Sequence, residues 1–589
     1  MSDTTPAENI PSLNLKSSAS MKHEVMDSDG SVAVASEKNM LDHDEGSRLN
    51  GSLRFLIYAL ILLTATGSMI GRLRYTQKMV GDVASPLLSA NDKSRWATVR
   101  SLNEVGGYEI ESYTADPNYS RYWNTIDKVV HQGRGDRLHE YSSKPPLLAT
   151  LFAGAYWALN RFTGLNFEEN WFSVTQILLL LGQILPLVLT FTALAWQLDK
   201  IRWRERTISD WGKFFVFACA CWGTFVTTFA VTLNNHHFAV IGVYWTLIAL
   251  MQIRLHGQPS HFWFVVAGLS SAFAAANELP ALAWVALTFL LCLVLDFKKC
   301  LRASVPAMLI IGFASFGTLL IAHQSLRPPY AHRSDGPSVV EFPEDFADDW
   351  AEGFMPTQTR RTLNRHSDKF GFQLSPSTLI EKNRFPMSSS IQQRWVIRDY
   401  YRMPWTPNQW RALALTQEKG QDNWQLRTWD NWYDYPGSYW HIGVRGGVDI
   451  GEPSPLSYAF HCLIGHHGIL TLTPIWALSL LGIVLCFSEK RDWMWFAVLV
   501  TIISGVVIGF YLLRPQGDRN YGGQTSALRW LFWLSPMWIV VMIPAAEWLF
   551  RWNSGKWLAI ILLIFSAASA LYSGTNPWVH PWIYQWTLP

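Results

Sequence analysis

The chain has 589 residues, 49 % hydrophobic and only 16 % charged, with 31 tryptophans and 20 tyrosines. Soluble domains carry roughly 25 % charged residues, so this balance argues for long stretches in lipid. A net charge of +3 gives no electrostatic case for nucleic acid. The cysteines Cys219, Cys221, Cys292, Cys300, Cys462 and Cys486 lie in or beside apolar runs without zinc-like spacing to histidine, so no disulfide framework is expected.

Residues 1–50 are rich in Ser, Asp, Glu, Lys and Asn. Such a segment cannot bury enough apolar surface to offset chain entropy, and it reads as a disordered cytoplasmic tail. The first apolar run, 52–71, lies too far from the start for a cleavable signal peptide and is expected to be a signal anchor.

The next region, 72–145, is hydrophilic and reads as a first outer loop. Within it, Trp96, Val99 and Leu102 recur at helical spacing, which predicts a short amphipathic helix on the membrane surface. Asp92 stands at its start and has two readings. It is an N-cap or solvated carboxylate, or a general base held just outside the bilayer. The loop ends in Tyr141-Ser142-Ser143-Lys144-Pro145-Pro146-Leu147. The prolines set an extended entry to a helix. Lys144 then stands at that helix's N-terminus, where it either snorkels to the headgroups or receives an anion. The apolar run 146–160 has the length of a re-entrant or juxtamembrane helix, short of a span.

Further spans are expected at 172–196, 211–232, 237–253, 262–278, 281–297, 304–323, 468–487, 493–513, 526–549 and 556–573, since about 20 apolar residues cross the hydrocarbon. With 52–71 that makes about eleven transmembrane helices in an all-α polytopic protein. If 146–160 does not cross and the N-terminus is inside, the basic clusters Lys200/Arg202/Arg204/Arg206, Lys298/Lys299/Arg302, Lys490/Arg491 and Arg551/Lys556 fall in cytoplasmic loops, as the positive-inside rule requires. The module 51–323 is then followed by a large non-cytoplasmic loop domain, 324–467, and by C-terminal helices in 468–589 ending outside. The loop domain is crowded with Trp424, Trp429, Trp432, Tyr433, Tyr435, Tyr439 and Trp440. It shows no clear strand or helix period, and its fold is unassigned at this stage.

Polar groups gather at the outer ends of the spans: Asn234, Asn235, His236 and His237; Asn277 and Glu278 before Pro280; Arg327 and Arg333; His461, His466 and His467; and Arg514, Asp518, Arg519 and Asn520, with Arg529 beyond. Any one reads as an interface residue, but ionisable groups at membrane depth are costly unless paired or functional. Adjacent histidines are poor metal ligands, so no metal site is expected. Walker, dinucleotide-binding, Ser-His-Asp and HExxH motifs are absent from the sequence.

The first anchor helix, the outer loop with Asp92 opening a helix, and Lys144-Pro145-Pro146-Leu147 running into an apolar helix resemble the GT-C glycosyltransferases. The likeness is to the protein O-mannosyltransferase and aminoarabinose-transferase branch, and it covers about residues 52–325. It implies a sugar donor on a polyprenyl or dolichyl phosphate and an acid of the first outer loop as base, here Asp92; the missing nucleotide motifs give no cofactor beside the lipid-phosphate donor. The chain departs from the pattern in having Asn91 before a single Asp92, where members often carry two acids.

Two functions of different class follow. The first is inverting transfer of a sugar from a polyprenyl-phosphate donor, a membrane lipid, to an unknown acceptor hydroxyl on the non-cytoplasmic side. In it Asp92 is the base, Lys144, Arg327 and Arg514 hold the donor phosphate, and Arg95, Asn235, His236, Glu278 and Arg519 contact substrate. The second is a transporter or flippase for a lipid-linked or polar solute. That would place ionisable groups near the bilayer midplane, whereas here the span centres are nearly uncharged.

Overall fold

The computed structural model describes residues 49–135, 137–204, 206–403, 406–488 and 492–587. The tail expected over 1–50 lies outside these residues except for its last two positions. So do Lys490 and Arg491, two of the basic residues used for orientation.

Helices of ten residues or more are numbered here in chain order. They are α1 (Gly51–Tyr75), α2 (Ala90–Glu104), α3 (Pro146–Thr163), α4 (Phe167–Lys200), α5 (Asp210–Trp222), α6 (Asn235–Arg254), α7 (His261–Asn277), α8 (Leu279–Leu295), α9 (Phe297–His323), α10 (Trp476–Phe487), α11 (Trp493–Leu512), α12 (Arg529–Leu549) and α13 (Asn553–Tyr572). Seven of them, α1, α4, α6, α9, α11, α12 and α13, are long and apolar enough to cross a membrane. The fold is that of a helical membrane protein with a sheet-containing domain.

The expected count of eleven is not reached, for reasons of length. At 1.5 Å per residue, the 13 residues of α5 reach about 20 Å and the 12 of α10 about 18 Å, short of a roughly 30 Å core. Helix α5 stops at Gly223 and gives way to a 3-10 turn, Thr228–Val231. Helix α7 ends at Asn277, its last turn followed by Glu278 and Pro280. The apolar runs in the sequence are continuous, but the helices within them are not.

Helix α2 differs from the expected surface helix. Its residues from Ser94 to Ser101 are all buried. Trp96 meets Phe152 of α3 and Phe167 of α4 edge-on, each at 5.8 Å between ring centroids. Ser94 Oγ donates to Asp127 O at 2.6 Å. The buried Arg100 is neutralised by Glu104 and Glu168 and lies 4.4 Å from the Tyr113 ring centroid. A helix with so many polar residues is tolerated inside because its buried charges are paired or hydrogen-bonded. Helix α3 is 18 residues long. It buries Leu148, Phe152 and Tyr156 while Leu151, Trp157 and Phe162 stay exposed.

Small antiparallel ribbons pair β1 (Lys78–Val80) with β2 (Val83–Ser85), β3 (Lys128–His131) with β4 (His139–Ser142), and β5 (Arg202–Trp203) with β6 (Arg206–Thr207). The region 324–467, left without a fold above, contains a six-stranded antiparallel sheet. Its strands are β7 (Arg333–Phe342), β8 (Gly353–Phe354), β9 (Leu379–Lys382), β10 (Ile391–Met403), β11 (Thr406–Glu418) and β12 (Trp424–Asn431), in spatial order β7-β12-β11-β10-β9-β8. One face carries Val340, Phe342, Ile397, Leu413, Leu415 and Leu426 against Leu363 and Leu374. On the other face Arg394 binds Asp335 at 2.6 Å and Arg398 binds Asp434 at 2.8 Å. Trp429 Nε1 also donates to Asp434 at 2.8 Å. Charged residues buried on that second face broke the apolar alternation that marks a half-buried strand.

Candidate active-site cavity

A cavity of about 1040 Å³ is lined by α2, the approach to α3, the starts of α6, α8 and α12, the end of α11, and the 433–449 and 514–524 segments of the sheet side and its return. Seven cations face it: Lys78, Arg95, Lys144, Arg333, Arg445, Arg514 and Arg529. Four carboxylates do so: Asp127, Glu278, Asp449 and Asp518. This excess of positive charge suits an anionic ligand.

Lys144 Nζ pairs with Asp127 Oδ1 at 2.9 Å. Burial lowers the Lys144 ammonium from its ordinary value, and Asp127 opposes that shift. Arg95, fixed on α2, donates to Asn91 O at 3.0 Å and to Asn235 Oδ1 at 2.5 Å. Its Nε is buried without a hydrogen-bond partner among the described residues. Burial pushes the Arg95 guanidinium down to about 10, so it stays charged at neutral pH.

A chain of contacts continues from Asn235. Its amide donates to Asn277 O at 2.7 Å and to Glu278 Oε1. Glu278 also meets His236 Nδ1, and His236 Nε2 meets Arg529. An arginine only donates, so Nε2 accepts from Arg529, while Nδ1 lies against Glu278 without a hydrogen bond of good geometry among the described residues. Arg529 is aimed by its Nε–H to Gly522 O at 2.8 Å. That carbonyl lies in a tight turn where Tyr521, Gly522 and Gly523 all have positive φ. Helix α6 begins here because Asn234 caps it, accepting from His237 N at 3.0 Å.

The expected site residues divide. Arg95, Lys144, Asn235, His236, Glu278 and Arg514 line the cavity, and Arg327, Arg519 and Asp92 do not. Arg327 is bound to Asp430 at 2.9 Å and to Ala331 O. Arg519 donates to Arg514 O at 2.8 Å and Pro453 O at 2.9 Å, so it braces backbone.

Asp92 is 1 % exposed and closes a capping box with Ser89. Oδ1 accepts from Ser89 N at 2.7 Å, Ser89 Oγ at 3.1 Å and Lys93 N at 2.8 Å. Oδ2 accepts from Leu88 N at 3.0 Å and Thr232 Oγ1 at 3.1 Å. Burial raises its carboxyl above the ordinary value while these donors pull it back. The member of the Asn91-Asp92 pair that faces the cavity is the amide, which is no base.

Sequence reasoning missed Asp127 and Arg445, while Tyr433, Tyr439 and Trp440, noted there among the aromatics of the loop domain, line the cavity. Asp127 carried no motif. It is brought to Lys144 by the β3–β4 ribbon, which pairs Lys128 with Ser142. Among the described residues no group of three or more His, Cys, Asp and Glu could hold a metal ion. No known protein family and no curated protein matches the chain in sequence comparison.

Proposed function

We propose that the protein is a membrane glycosyltransferase. It takes a sugar from a polyprenyl-phosphate donor and passes it to an acceptor hydroxyl on the non-cytoplasmic side, with the N-terminus inside. The observation that carries this reading is the placing of Lys144 and Arg95, with its partnerless Nε, in one large cavity whose wall also includes apolar Leu282, Val506, Val507 and Phe510. That combination suits a phosphate joined to a lipid tail. Charge-assisted hydrogen bonds to phosphate are about twice as strong as neutral ones.

In the proposed step the acceptor oxygen attacks the anomeric carbon and the bond from that carbon to the phosphate oxygen breaks. The electron pair leaves on polyprenyl phosphate, which Lys144 and Arg95 stabilise. The acceptor proton goes to a carboxylate. Asp127 is committed to Lys144, Asp518 to Arg514 at 2.7 Å, and Asp449 accepts from Tyr439 and Asn520. Glu278 uses Oε1 for the Asn235 amide, with His236 Nδ1 close by, and its Oε2 makes no hydrogen bond among the described residues. We therefore assign the base to Glu278, with Asn235 holding it. One attack inverts the anomeric configuration.

The test is transfer by purified protein from synthetic polyprenyl-phosphate sugars to a mixture of acceptor glycans and peptides. Release of polyprenyl phosphate that depends on both Lys144 and Glu278 is expected. Release that is absent, or unaffected by Glu278→Gln, overturns the assignment.

A further inference from the structure

A second group of cations on the cavity wall has no carboxylate at hydrogen-bonding distance. The Arg333 guanidinium lies 3.9 Å from the Tyr433 ring centroid and 5.4 Å from that of Trp440. The Arg445 guanidinium lies 5.7 Å from the same indole. Arg333 makes no side-chain hydrogen bond among the described residues. The nearest carboxylate oxygen, Asp518 Oδ1, is 4.0 Å away, and Asp518 already holds Arg514. Arg445 donates to two backbone carbonyls, Trp440 O at 3.1 Å and Gly517 O at 3.3 Å, and meets no carboxylate within ion-pair distance.

Arginines with a structural role in the same domain look different. Arg394 and Arg398 each bind a carboxylate at 2.6 and 2.8 Å, with side chains 4 % exposed. The Arg333 side chain is 38 % exposed. Two cations beside one indole repel each other, and an anion between them would relieve that repulsion while using the ring face. Planar guanidinium groups match carboxylate and phosphate oxygens in bidentate fashion, and the C–H face of a pyranose stacks on an aromatic ring.

We propose that this wall is a subsite for an acidic saccharide, its pyranose stacked on Trp440 and its anionic group held between Arg333 and Arg445. The indole is fixed in place by its Nε1–H to Ile126 O at 2.8 Å. Ile126 immediately precedes Asp127, the partner of Lys144. A sugar on Trp440 therefore stands beside the phosphate end of the cavity, where an acceptor belongs. Its role as acceptor rests on the glycosyltransferase reading, whereas the binding itself does not.

The experiment is calorimetric titration of the full chain in nanodiscs with three probes: an oligogalacturonate, a sugar phosphate and a neutral oligosaccharide of matched length. Acidic probes should bind at least about tenfold more tightly than the neutral one at low salt, as expected for charge-assisted hydrogen bonds. The uronate and phosphate arms show which anion is preferred. Arg333→Gln with Arg445→Gln should abolish the preference while leaving the affinity for a polyprenyl-phosphate sugar intact. If the double variant unfolds, Arg333→Gln alone should cost most of the preference, since its side chain makes no hydrogen bond among the described residues. Equal affinity for acidic and neutral probes, or a preference that survives these substitutions, overturns the subsite. Acidic-saccharide preference without any binding of the lipid-phosphate donor would leave the subsite standing and remove the glycosyltransferase reading.

Discussion

Asp92→Asn separates two accounts of one residue, because the sequence and the structure assign it different work. In the structure the carboxylate accepts five hydrogen bonds at the start of α2, all from inside the protein. An amide has one accepting oxygen. Whichever way it turns, its NH₂ faces donors: Ser89 N–H and Lys93 N–H on one side, Leu88 N–H on the other. The variant thus leaves at least one buried donor unmet, at about 1–3 kcal/mol. It also removes a negative charge from the positive end of a helix, at about 0.3–1 kcal/mol. A loss of about 2–3 kcal/mol in stability is expected, with turnover per folded molecule nearly kept. The assay is a thermal melt of the purified variant, with transfer rates normalised to the folded fraction. If Asp92 were the base, turnover would instead fall by about 10²–10⁴ while the melt stayed unchanged, and that result would refute the capping assignment.

The remaining expectations are quicker to state. Lys144→Ala should weaken binding of a polyprenyl-phosphate sugar by about tenfold or more, as read by titration, and unchanged affinity would free Lys144 from the donor. In Asp434, burial pushes the carboxyl up, but His441 and Arg398 outweigh it and hold it below 3.8. Its contribution to stability is therefore full above pH 3.8 and lost as pH falls through the lower folded value. Asp434→Asn should flatten the acid limb of a melting-temperature profile below pH 4, and an unchanged limb would show that the pair contributes nothing there. For topology, the described cysteines are all buried, so single added cysteines report cleanly. Position 205 should be shielded from an impermeant thiol reagent in intact cells and position 419 labelled, while the opposite pattern would reverse the membrane orientation.

Much of the helical fold was legible because its signal is simple: long apolar runs such as 52–71 and 304–323 became α1 and α9. The difference between eleven expected spans and seven helices long enough to cross comes partly from breaks that hydropathy cannot register, such as Gly223 before the Thr228–Val231 turn. The sheet was hidden by its own second face. In β10, Arg394, Arg398 and Asp399 are buried beside Val396 and Ile397, so polar and apolar positions are equally interior. No sequence period distinguishes a buried Arg–Asp pair from an exposed one.

The site shows the same divide on a finer scale. Lys144 was found because a local motif, two prolines opening an apolar helix, fixes where a lysine must stand. Asp92 was picked out by the same kind of local logic, which could not decide its role, since a helix start explains both a cap and a base. What decides between them is which way the side chain turns, and that depends on Thr232, distant in sequence, whose hydroxyl meets Oδ2 at 3.1 Å. Glu278, Asp127 and Arg333 reach the cavity from three separate parts of the chain. Their relation exists only once α7 ends at Asn277, the β3–β4 ribbon closes and β7 begins. A charge excess assembled from such distant segments is invisible to any window of sequence. It is nonetheless the feature that most constrains the ligand, because seven cations facing four carboxylates, with the Arg95, Arg333, Arg445 and Arg529 guanidinium groups lacking carboxylate partners within hydrogen-bonding distance, are tolerable in a cavity that takes up negative charge.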